Sequence, residues 1–143
     1  MAVGPRVSKE EFMRALGLDV RNPQHEQYYK AMRDEAIAVY NRLNNDVSSL
    51  IDSVRMDGNT RPPFFWHHVR ADKQRWAILE VWRAADPSIR GLFDAGATEG
   101  EYGPNWVSGW LLYSVFRSRD TRNNRRKEKP GERKTYYDPV RNV

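Results

Sequence analysis

The residues best suited to chemistry form a run of cations near the carboxyl end. From Phe116 the chain reads Phe-Arg-Ser-Arg-Asp-Thr-Arg-Asn-Asn-Arg-Arg-Lys-Glu-Lys. On a helix, Arg119, Arg122, Arg126 and Lys129 recur at steps of 3, 4 and 3 and share one stripe. Arg117 opens the run, Arg125 and Lys127 flank the stripe, and Asn123 and Asn124 lie between the cations. A guanidinium fork matches a phosphate or a guanine edge, and an Asn amide matches an adenine edge. A helix carrying both types has the parts that reading DNA in a major groove requires. DNA is therefore the expected partner. RNA is the second polyanion the same charges would suit, since Arg-rich helices often order only on contact.

The charge is concentrated there. Residues 117–143 hold 10 Lys+Arg against 4 Asp+Glu, a net of +6, while residues 1–116 carry a net of −1. A field gathered at one end attracts a polyanion more strongly than the same +5 spread over 143 residues. The imbalance would also suit a solvated tail that only aids solubility. Arg125-Arg126-Lys127-Glu128-Lys129, with Arg133-Lys134 beyond, would serve as a nuclear-import signal as well.

Catalysis finds little support. The absence of Cys excludes thiolate zinc sites, iron–sulfur clusters and a cysteine nucleophile. The three histidines are His25, His67 and His68. His68 and Asp72 share a helical spacing, but zinc needs three or four ligands. The expectation is that one of His67 and His68 packs with Trp66 and the other faces solvent. Gly96, Gly100 and Gly103 lie in an acidic loop with no following Lys, so they make no phosphate loop. Accordingly no enzyme activity, cofactor, metal or small-molecule substrate is expected. The first ten residues have no apolar signal segment, and the nearly apolar run 106–116 is too short to span a bilayer. No apolar stripe accompanies the cations after Phe116, so membrane binding is not expected either. An intracellular, nuclear protein is the expectation.

The elements that must position the cations are read as helices. Ser8-Lys9-Glu10-Glu11 forms a capping box, and the helix after it, with Phe12, Met13 and Leu16, ends near Gly17. Asn22-Pro23 starts a second helix. Its apolar residues Tyr29, Met32, Ala36, Tyr40, Leu43, Val47, Leu50 and Val54 keep helical steps, so it is expected over about 23–56, stopped by Asp57-Gly58. So long a helix implies either a break near Asn44-Asn45-Asp46 or self-association through Tyr29, Ala36, Leu43 and Leu50. Packing against the chain's own helices is the favoured reading. A dimerisation or protein-interaction module built on that helix is the alternative to DNA binding.

Pro62-Pro63 enforces an extended connector over 58–71, whose Phe64-Phe65-Trp66 cluster plugs the core. Asp72 is the expected cap of a helix carrying Trp76, Ile78, Leu79 and Trp82. Asp86-Pro87 starts another, with Ile89, Leu92 and Phe93. Residues 94–105 form the loop expected to be most flexible. Asn105 caps a last helix, running from Trp106 to about Lys129; the run 110–116 also suits a strand, but no turn signal separates it from the basic stretch. Trp76, Trp82 and Trp110 are expected in the core. The whole is an all-α single-domain helical bundle over 1–129, with a helix-turn-helix-like part over 72–129 and a basic flexible tail at 130–143.

Overall fold

A computed structural model describes residues 2–58 and 60–119. Its six helices are α1 (Lys9–Ala15), α2 (Pro23–Asn44), α3 (Asp52–Arg55), α4 (Ala71–Ala84), α5 (Pro87–Asp94) and α6 (Trp106–Arg119). No strand occurs among the described residues, and the chain forms an all-α bundle. None of these helices is long and apolar enough to cross a membrane.

Local chemistry sets most of the helix ends. Ser8 Oγ accepts from Glu11 N at 3.1 Å and opens α1. Gly17, at φ 77°, closes it, with Leu18 N donating to Met13 O at 2.8 Å and Gly17 N to Arg14 O at 2.9 Å. Asn22 Oδ1 accepts from Gln24 N and His25 N, with Pro23 at the first helical position. Asp86 Oδ1 accepts from Ser88 N at 2.9 Å and opens α5.

The second helix is shorter than its apolar spacing implies. It stops at Asn44, and residues 45–56 turn away from the helical axis. Three side chains compete for the backbone there. Asp46 Oδ1 accepts from Ser48 N at 3.0 Å, starting a single 3₁₀ turn over Val47–Ser49. The buried Ser49 hydroxyl donates toward both Asp46 O and Leu43 O. Asn44 Oδ1 accepts from Phe64 N at 2.9 Å and ties the connector to the helix end. Leu50 then forms an antiparallel bridge with Val69 instead of a further helical turn. Val47, on the stripe by spacing, is 61% exposed as a result.

Tyr29, Ala36, Leu43 and Leu50 are all buried within the one chain. The stripe on α2 therefore meets the chain's own helices. Tyr29 packs on Trp110 and Tyr40 on Phe116, so α2 and α6 run in the same direction. Arg42 pairs with Glu80 and Glu35 with the backbone N of Asp86, so α4 runs antiparallel to α2.

Two expectations about α4 need correction. The helix begins at Ala71, one residue before Asp72, which pairs with Arg70 at 2.7 Å instead of capping. Its inward face holds Ala77, Glu80 and Val81, while Trp76 and Trp82 are half-buried and Leu79 is 38% exposed. The helix packs against both α2 and α6, and the Trp76 ring at its edge carries the Arg42 guanidinium of α2 at 4.9 Å. The connector plug is also partial: Phe64 is buried, but Phe65 and Trp66 are half-buried.

Helix α6 is the centre of the bundle. Val107, Ser108, Leu111, Leu112 and Val115 are fully buried, with Trp106, Trp110 and Phe116 almost so. A helix apolar nearly all round must be enclosed by others. Residues 94–105, which lead into it, are pinned: Thr98 N donates to Pro104 O at 3.0 Å and Trp106 N to Gly96 O at 2.9 Å.

Glu80 is a carboxylate 7% exposed inside this frame. Its pKa lies below the ordinary 4.5, first because the Arg83 side chain donates to it and then because Arg42 does. A depressed folded pKa stabilises the protein above the unfolded value, and that gain is lost as pH falls through the folded value. Both arginines are largely exposed, which screens the pair. Glu80→Gln should cost about 1–2 kcal/mol at neutral pH. Denaturant curves should show the gap closing as pH drops below 4.5. A gap constant with pH would show that the charge is not what matters.

Candidate nucleic-acid interface

The described residues end where the cations begin. Arg117 and Arg119 lie in its last turn, both exposed. The Arg119 guanidinium sits 5.6 Å from the Tyr40 ring centroid, within cation–π distance. The remaining expected site residues, Arg122, Asn123, Asn124, Arg125, Arg126, Lys127 and Lys129, lie outside the described residues, as does the tail over 130–143.

The fold adds cations that the carboxyl-terminal run does not include. Arg33 on α2 donates toward Ser114 Oγ at 3.4 Å and Ser118 Oγ at 3.2 Å. Its register makes this legible afterwards. It stands four residues after Tyr29 and three before Ala36, at the edge of the inward stripe. Arg6 comes from the segment before α1. That segment is held against α6 by Trp110 Nε1, which donates to Val7 O at 3.0 Å across 103 positions of sequence. No local pattern signals such a contact.

Helix α6 and the segment before α1 flank an open groove of about 620 Å³. Arg6 and Arg117 line it with Ser114, Ser118, Trp110 and Tyr113, and no carboxylate lines it among the described residues. A second depression of about 220 Å³ adjoins it and shares Pro5, Trp110 and Tyr113. Its other walls include Trp66, Tyr102 and Trp106, with Gln74 and Glu101 as polar groups.

Of the two adjacent histidines, His67 is exposed as expected, but the other does not pack as expected. His68 stacks on Phe65, not Trp66, with centroids 4.9 Å apart and planes 8° apart. Its Nδ1 accepts from Phe65 N at 3.3 Å. Burial, then the neighbouring His67, holds its pKa below 6.5, which favours the neutral ring that this bond needs. Asp72 is engaged by Arg70, and the described residues hold no group of three His, Asp or Glu placed to bind a metal.

Comparison of the chain with models of known families, with curated proteins and with solved structures finds no match in any of the three.

Proposed function

We propose that the protein is a DNA-binding module of a nuclear transcriptional or chromatin regulator. In this reading α6 is the anchor, and the cations from Arg117 onward contact phosphates and bases. The observation that carries it is the charge segregation: a net of +6 over 117–143 joined to a body of net −1. The exposure of Arg117 and Arg119 where α6 leaves the core supports it. The reading assigns the chain no catalytic step, metal or cofactor. A dimerisation role for α2 has less support, because the residues that would mediate it are buried within one chain.

A salt titration on duplex DNA tests the proposal. With about six phosphates neutralised, log K should fall with log salt at a slope of about −5. The double variant Arg122→Ala/Arg126→Ala should lower that slope by about 2 and leave thermal unfolding unchanged. Absence of binding at low salt, or binding indifferent to salt, would remove this reading.

A further inference from the structure

We infer that the paired grooves beside α6 form a site for one unpaired nucleotide of a nucleic-acid strand. The inference deepens the DNA-binding reading and rests on it for the nature of the ligand. The two depressions differ as the two halves of a nucleotide differ. The larger presents Arg6 and Arg117 beside the hydroxyls of Ser114 and Ser118. Ser118 Oγ donates to Val115 O at 3.0 Å, so the two guanidiniums and the Ser114 hydroxyl are what suits a phosphate. Arg33 adds a third cation behind those hydroxyls. The smaller is walled by the rings of Trp66, Tyr102 and Trp106, which suits a planar base. Tyr113 and Trp110 line both. Trp110 is buried to 5% exposure and serves as a wall, whereas Tyr113 is half-buried and offers its ring. An acidic peptide would use the cations but has no need of the aromatic half.

The second depression also suggests which base. Glu101 stands on its rim, and a carboxylate accepts from the exocyclic amine of cytosine. A base still paired within a duplex cannot enter, so the site distinguishes unpaired from paired DNA. Phosphate contacts from the carboxyl-terminal cations make no such distinction.

The test is fluorescence anisotropy on the whole chain with three probes: a duplex, the same duplex carrying a short run of unpaired cytidines, and a short oligocytidylate. The interrupted duplex should bind about tenfold tighter than the intact one. Tyr113→Ala should abolish that preference while leaving duplex affinity within about twofold. Arg6→Glu, an exposed change in the segment before α1, should also abolish it and guards against a Tyr113 variant that fails to fold. Arg122→Ala/Arg126→Ala should weaken both duplexes equally and keep the preference. Equal affinity for the two duplexes, or a preference surviving both groove variants, overturns the site while the DNA reading stands. Binding of the interrupted duplex and the oligocytidylate, but not the intact duplex, supports the site and overturns the role given to the carboxyl-terminal cations. Binding of none overturns both. An acidic peptide that competes as well as the oligocytidylate overturns the nucleotide assignment.

Discussion

Trp110→Ala is expected to destabilise the protein by about 3–5 kcal/mol. That is a large part of the roughly 5–15 kcal/mol that holds a domain of this size together. Three contacts of the one ring explain the magnitude. Its face stacks on Phe12, with centroids 4.0 Å apart and planes 14° apart. Tyr29 meets it edge-on at 6.3 Å. Its Nε1 donates to Val7 O and fastens the first residues of the chain to the last described helix. Truncation removes a buried aromatic surface and leaves the Val7 carbonyl without its donor. Trp82→Ala should cost less, about 1–2 kcal/mol, because part of that ring already meets water. Urea unfolding with unchanged m-values measures both. Equal costs would mean that the two rings are equally enclosed, against the packing described here. Trp110 also walls both grooves, so its loss is a test of folding and not of nucleotide binding.

The contrast between those two Trp residues marks how far sequence reasoning reaches. Helix starts at Ser8, Asn22, Asp86 and Asn105 were legible because capping joins residues two or three apart and needs no knowledge of the fold. The face of α4 was not legible. Trp76, Leu79 and Trp82 form its most apolar line, yet Ala77 and Val81 turn inward, where α4 packs against α2 and α6. Side-chain size measures what could be buried, and the nearest neighbour decides what is. The end of α2 failed for a related reason. Apolar steps continue through Leu50 and Val54, but Asp46 and Ser49 bond the backbone locally and end the helix ten residues before the pattern fades. The Asn44-Asn45-Asp46 break was the visible sign.

At the candidate site, Arg117 and Arg119 were legible as residues of a helix anchored by aromatics. Their neighbours were not. Arg33 reaches Ser118 across 85 positions, and Arg6 arrives through a bond that spans 103. A one-dimensional scan finds cations that are adjacent in the chain, as in the run after Phe116. It does not find three arginines gathered from the amino-terminal segment, α2 and α6. Tyr113 lies inside the nearly apolar run 106–116 and carries no local signal of a site, because its position between two depressions depends on the segment laid over α6.

Asn105→Ala is expected to cost about 2–4 kcal/mol, more than an ordinary cap. Asn105 is fully buried and uses both ends of its amide. Its Oδ1 accepts from Val107 N at 3.0 Å and Ser108 N at 3.1 Å, and its Nδ2 donates to Phe93 O at 2.8 Å. One side chain thus opens α6 and closes α5. Alanine would strand two amides and a carbonyl where water does not reach, adding their desolvation to the loss of the cap. The packing allows little relief: a Cβ on Gly96 would stand 2.8 Å from Val107 Cβ and collide with Asn105 Oδ1, so the backbone lies directly against the amide. Asn105→Asp separates the two roles. At a half-buried cap such as Asn22, Asp and Asn are nearly equivalent. At Asn105 the aspartate keeps the acceptor, loses the donor to Phe93 O and places a charge in a dry site, so it should cost well over 1 kcal/mol. Thermal unfolding of Asn22→Asp beside Asn105→Asp makes the comparison. If both were equally neutral, the amide would act only as a cap, and the junction of α5 with α6 would be held by packing alone.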